Sequence, residues 1–227
     1  MSNIGILNEK SIHCFLKSYL EPDPSFHEIS VGPYIADIRN ENQIIEIQTQ
    51  QFKKLINKLD YYIKNNYHIT IVYPLIESKL IYWVDAVSSE ITSISKSSHK
   101  GVIQDIFKEL YWIVDYLEND FVSLKIISLD VHSYKLLDGL GEKKKIKASK
   151  IDNVPVNINQ IYEINSISDL KLFVPNSLPK EFTSSDFLKS CKCKKRWVGS
   201  GLKLLREHKI IKQIGKSRNS YVYERNF

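Results

Sequence analysis

The arrangement that most restricts the fold lies between residues 44 and 73, where two β-branched runs, Ile44 to Thr49 and His68 to Tyr73, flank an amphipathic stretch. Within that stretch Phe52, Leu55, Ile56, Leu59, Tyr62 and Ile63 recur at three- and four-residue steps, and Lys53, Lys54, Lys58 and Lys64 fall mostly outside the stripe. That pattern is one face of a helix from Gln51 to about Asn66. A strand, a helix and a strand with short joints form a right-handed crossover, so the two strands should run parallel. Pro74 predicts the end of the second strand. The chain is therefore expected to be α/β.

The neighbouring segments extend this frame. A first helix is expected from Asn8 or Ser11 to Leu20, with Ile12, Phe15, Leu16, Tyr19 and Leu20 on one face. After Glu21-Pro22-Asp23-Pro24-Ser25 come three short strands, His27 to Val31, Pro33 to Ile38 and Ile44 to Thr49. The second and third form a hairpin about Asn40–Gln43. Beyond Pro74, residues 79–87 read as strand, Val102 to Asn119 as one long helix, and Val122 to Leu137 as one or two strands. Residues 138–178, rich in Asn, Ser and Pro and carrying Lys143, Lys144 and Lys145, read as a connector with little regular structure.

Charge divides the chain. The whole carries +6 over 227 residues, but Phe187 to Phe227 holds twelve Lys and Arg against two Glu, a net +10 in 41 residues, leaving −4 for the rest. Such asymmetry points to nucleic acid or an anionic surface. Within the tail, Thr183 and Asp186 mark a helix start, Val198, Leu202, Leu205 and His208 a second helix, and Ile210–Ile214 with Ser220–Glu224 a hairpin with a basic tip. Two helices and a basic-tipped hairpin resemble a winged helix-turn-helix. Its DNA contacts would fall to Lys194, Lys195, Arg196 and Lys203, and to Lys216 and Arg218 in the wing. A small module for protein contact, its lysines merely solubilising, has the same pattern.

The start of the chain shows no basic segment followed by an apolar one, and no run approaches the roughly 18 apolar residues of a membrane span. Cys14, Cys191 and Cys193 suit a reducing compartment, and Cys-Lys-Cys lacks two ligands of any standard zinc spacing. A cytoplasmic protein without membrane contact is expected.

The chemistry-bearing residues lie on the hairpin. A turn centred on 40–43 sets Asp37 opposite Glu46, and Gln48 shares a face with Glu46. Opposed carboxylates repel, and a hard divalent cation relieves them. The spacing alone is also met by a solvated face with Arg39 or a lysine as counter-charge.

The order of elements, with Asp37 on the second strand and Glu46-Ile47-Gln48 on the third, resembles the core of the PD-(D/E)xK nuclease superfamily. Residues 9–76 are similar to an uncharacterised bacterial family of such proteins. That likeness is carried by Glu9, His13 and Lys17, by Glu28, by Gly32-Pro-Tyr-Ile-Ala-Asp37-Ile, by Ile45-Glu-Ile-Gln-Thr49 with Phe52 and Lys58-Leu59, and by Ile71-Val-Tyr-Pro74. The resemblance implies a restriction-endonuclease-like mixed sheet flanked by helices. It also implies Mg²⁺ or Mn²⁺ on Asp37 and Glu46, with Gln48 at the position that orients or activates water. Lysine usually stands at that place, and Gln48 brings only hydrogen bonds. Glu9, His13 and Lys17 lie on one helical face, so Glu9 would add a carboxylate to the site and the other two would flank DNA; Glu28 competes for the accessory role. A plain surface row explains the same spacing.

The expected organisation is a nuclease-like domain over 1–137, the connector over 138–178, and a small α+β winged helix domain over 179–227. The expected activity is Mg²⁺-dependent deoxyribonuclease action on duplex or branched DNA, with a homodimer as a further expectation. The alternative is a non-catalytic DNA-binding or regulatory protein with a degenerate nuclease-like domain.

Overall fold

The computed structural model describes residues 11–140, 147–217 and 220–227. Helix α1 (Ser11–Leu20) leads into strands β1 (His27–Val31), β2 (Tyr34–Asn40) and β3 (Gln43–Ile47), which pair as successive antiparallel neighbours. The expected helix after them begins as a 3-10 turn over Phe52–Leu55 and becomes α2 (Ile56–Lys64). It delivers the chain to β4 (His68–Asp85), which lies parallel to β3 from Gln43↔His68 to Ile47↔Val72. The crossover is the one the hydrophobic stripe predicts.

β4 does not stop at Pro74. The Val72 carbonyl accepts from Gln48 N at 2.8 Å on the β3 side, so residue 74 faces that same side, where β3 has already ended. Proline's missing N–H therefore costs no ladder bond. β4 continues, with β5 (Ile91–Lys96) antiparallel on the edge that β3 has left. The expected long helix over 102–119 is instead three short pieces: a 3-10 turn at Ile103–Ile106, α3 (Phe107–Leu110) and a 3-10 turn at Val114–Glu118. Ile106, Phe107, Leu110, Val114 and Leu117 are buried and Ile103 is half-buried, but the aromatic and β-branched run Tyr111 to Val114 favours the helix interior poorly.

Strand β6 (Val122–Leu137) is parallel to β4 along its length, from Ile69↔Val122 to Asp85↔Leu137. The expected connector is corrected here: β7 (Ser149–Ile164) pairs antiparallel with β6, and a 3-10 turn at Ile167–Phe173 buries Leu170 and Phe173. Lys143, Lys144 and Lys145 lie outside the described residues. The result is a seven-stranded mixed sheet, β1-β2-β3-β4-β6-β7 with β5 beside β4, flanked by helices.

The remaining chain forms β8 (Glu181–Thr183), α4 (Ser184–Cys191), α5 (Lys195–Glu207), β9 (Ile211–Ser217) and β10 (Ser220–Arg225), with the strands in the order β8-β10-β9. Thr183 and Asp186 cap α4 reciprocally.

One sheet face is covered by α1 through Ile12, Leu16, Ile47, Val72, Ile127 and Leu129. The other face carries a single continuous cluster that runs from Val31 through Phe107 and Leu124 to Phe187, Leu205 and Tyr223. The Phe107 ring stacks on Phe187 at 6.3 Å and lies tilted against Phe173 at 5.3 Å. A Cβ on Gly201 of α5 would stand 2.2 Å from the Phe107 ring, so glycine is what lets α5 approach α3 this closely. The C-terminal segment thus completes the core of the sheet domain. Among the described residues no helix is long and apolar enough to cross a membrane.

Candidate active site at the β2–β3 strand ends

The hairpin closes on Asn40↔Gln43 and keeps the expected register through Arg39↔Ile44 and Ile38↔Ile45. There the ladder ends, and Asp37 takes over with its side chain: Oδ2 accepts from Ile47 N at 2.7 Å. Glu46, only 2% exposed, points toward α2. Its Oε2 and Oε1 accept from Lys58 Nζ at 2.8 and 3.0 Å, and Oε1 accepts from the Tyr62 hydroxyl at 3.0 Å. Lys58 also donates to the Ile35 carbonyl at 2.7 Å, so it ties α2 to β2 as well as to β3.

Burial pushes the Glu46 carboxyl up to about 7, and the negative charge of Asp37 adds to this, against the pull of Lys58 and Tyr62. The Tyr62 phenol is raised by its own burial and by Glu46. This is a carboxylate poised between charge states at neutral pH, held by an ammonium and a phenol.

His13 of α1 reaches the same strand end. Its Nε2 is 2.6 Å from the Ile47 carbonyl and 3.6 Å from Asp37 Oδ2; because a carbonyl only accepts, Nε2 carries the hydrogen. Gln48 does not join the carboxylates through its amide, which donates to the Gln50 carbonyl. Glu28 and Lys17 pair with each other at 2.9 Å, with Lys17 buried and Glu28 66% exposed, and so brace α1 against β1. Glu9 lies outside the described residues.

The residues that the sequence reading missed are Lys58 and Tyr62. Their spacing, four apart on α2, puts them one above the other on one face, but does not say which strand that face meets. Asp37, Glu46 and the Ile47 carbonyl offer only oxygen donors, and the buried Glu46 already draws a cation, so the donor chemistry suits a hard divalent ion. Among the described residues no group of three or more His, Cys, Asp or Glu is arranged to hold a metal.

The six basic positions expected to meet DNA divide. Lys195 is exposed on α5, Lys203 pairs with Glu207 at 3.7 Å, and Lys216 is exposed on β9. Lys194 and Arg196 line a cleft at the start of α5, and Arg196 lies over the Trp197 ring at 4.6 Å. Arg218 lies outside the described residues.

Fold and site together define a mixed α/β protein that holds a buried, ammonium-clamped carboxylate where a sheet hairpin meets its crossover helix. Residues 10–165 match the model of a domain of unknown function, DUF8091, and the chain belongs to that family. The match ends one residue past β7. An uncharacterized protein of Treponema pallidum (strain Nichols) is 25% identical over 185 residues, covering 81% of this chain and 72% of that one. No solved structure matches.

Proposed function

We propose that the chain is a metal-dependent DNA endonuclease, with a restriction-endonuclease-like sheet and a C-terminal winged-helix-like module that grips duplex. One observation carries this reading: Lys58, from the crossover helix, gives Glu46 the ammonium that Gln48 lacks. Asp37 and Glu46 would hold Mg²⁺ or Mn²⁺, which when bound supplies an activated water and stabilises charge on the scissile phosphate. Lys58 fixes the Glu46 carboxylate and places positive charge beside it. His13 steadies the end of β3, whose Ile47 N–H holds Asp37.

The test is nicking of supercoiled plasmid by the full chain with Mg²⁺ or Mn²⁺. Loss of several kcal/mol of charge stabilisation corresponds to at least about a hundredfold in rate, and that drop is expected for both Asp37→Ala and Glu46→Ala. Undiminished nicking in either variant contradicts the assignment. The engagement of Gln48 with the Gln50 carbonyl favours a second reading, a non-catalytic DNA-binding or regulatory protein. Salt-sensitive duplex binding without cleavage of any DNA or RNA form would establish it.

A further inference from the structure

Between the end of β3 at Val72 and the Gly101 N–H that donates to the Glu77 carbonyl at 2.9 Å, one edge of β4 has no partner strand among the described residues. β3 makes its last contact at Val72, and β5 begins at Leu80↔Lys96 with Ser97 N donating to the Lys79 carbonyl. The gap opens a cleft of about 710 Å³ that reaches from His13, beside the candidate active site, to the first turn of α5. That volume falls in the roughly 300–1,000 Å³ range of small-ligand sites, the scale of one or two nucleotides and not of a base-paired helix.

Two sets of groups line the cleft. Lys79, Lys194 and Arg196 line it, and none of the three has a carboxylate partner among the described residues. Burial, together with the neighbouring ammonium groups of Lys150, Lys135 and Lys194, holds Lys79 below the usual lysine range; Glu109 and Asp152 line the same cleft. Asp105 stands in the same cleft with its side chain 10% exposed. Its Oδ2 accepts from Val102 N and pairs with His99, but its Oδ1 is buried and has no hydrogen-bond partner among the described residues. A buried carboxylate oxygen without a donor is costly, and a ligand N–H would satisfy it. Trp197, with Arg196 lying on it, forms a flat wall beside these groups.

We propose that this cleft holds an unpaired nucleotide of a DNA strand, its phosphates on Lys79, Lys194 and Arg196 and an exocyclic amino group of its base on Asp105. The proposal rests on the nucleic-acid reading above and adds to the duplex grip a second requirement: at the cleft one strand is unpaired. Cytosine suits the acceptor best, since its N4 amino group is the usual donor to a carboxylate. Thymine offers no amino group.

Binding is measured with the full chain in EDTA, by fluorescence anisotropy of a labelled oligo-dC, an oligo-dT of equal length, and a blunt duplex. Oligo-dC is expected to bind about tenfold more tightly than oligo-dT, and more tightly than the duplex. Lys194→Ala with Arg196→Ala, both at exposed positions, is expected to weaken oligo-dC at least about tenfold; Lys79→Ala gives the same direction from inside the cleft. Asp105→Asn, which keeps an oxygen for the Val102 cap, is expected to erase the dC preference. Unchanged oligo-dC binding in the basic variants, or equal dC and dT binding in the parent protein, overturns the proposal. Displacement of oligo-dC by free cytidine monophosphate at matching nucleotide concentration also overturns it, because the ligand would then be a mononucleotide. The two readings fail separately. Plasmid nicking with no cleft-dependent single-strand binding sinks the cleft alone, and cleft-dependent binding without nicking sinks the nuclease alone.

Discussion

Removing residues 179–227 is expected to abolish cooperative folding of everything that precedes them. Phe182, Phe187, Leu202, Leu204 and Leu205 are each at most 2% exposed and belong to the same apolar cluster as Phe107, Leu110 and Phe173 of the sheet domain. Losing one buried phenylalanine costs about 3–5 kcal/mol, and a whole domain is stable by only about 5–15 kcal/mol. The truncated chain loses two buried phenylalanines and three leucines together. Circular dichroism during heating should show no sharp transition for residues 1–178, where the full chain shows one. A truncated chain that melts cooperatively within a few degrees of the parent would refute this. The basic tail is therefore distinct in charge but not separable in packing, and its DNA contacts are better probed by single charge removals than by deletion.

Lys58→Ala is expected to be the most damaging single substitution at the site. It strips the ammonium from Glu46, whose side chain is 3% exposed, and leaves a buried carboxylate held by Tyr62 alone. Breaking a buried pair from one side costs about 3–5 kcal/mol. The cost depends on pH with a definite sign. The Glu46 carboxyl is raised from the ordinary 4.5 to about 7 in the folded chain, so folding favours its protonated form. That contribution is fully present below about 4.5 and is lost as pH rises through 7. Without Lys58 the ionised form is poorer still, so urea denaturation should show a large gap between variant and parent at pH 8.5 and a much smaller one at pH 5. An equal gap at both values would mean that Lys58 acts through packing and not through charge.

Much of this architecture was legible because short-range rules governed it. The Asp37–Glu46 hairpin kept its expected register because alternation and a two-residue turn fix pairing locally. Pro74 misled because its missing N–H matters only where a neighbour strand is waiting, and which neighbour waits is a tertiary fact. β7 was hidden because it is an edge strand: Asn157, Asn159 and Val156 are exposed, so the alternation that betrays a half-buried strand is blurred. At the site, both carboxylates could be placed from the hairpin alone. Lys58 and Tyr62 could not, since their meeting with Glu46 depends on how α2 lies across β3. Glu28 and Lys17 had the right chemistry for an accessory role but satisfy each other.

The long parallel pairing of β4 with β6 joins Ile69 to Val122 and Asp85 to Leu137, so every rung spans some fifty residues of intervening chain. Loop closure must precede each such rung before any contact repays it. The β6–β7 pairing, closed by a short link from Leu137 to Ser149, carries no such delay. On the ribosome the consequence is sharper: Phe107 and Leu110 emerge long before Phe187 and Leu205 arrive to cover them. The nascent sheet must pass through an interval of exposed apolar surface, which makes late synthesis the vulnerable stage in the life of this protein.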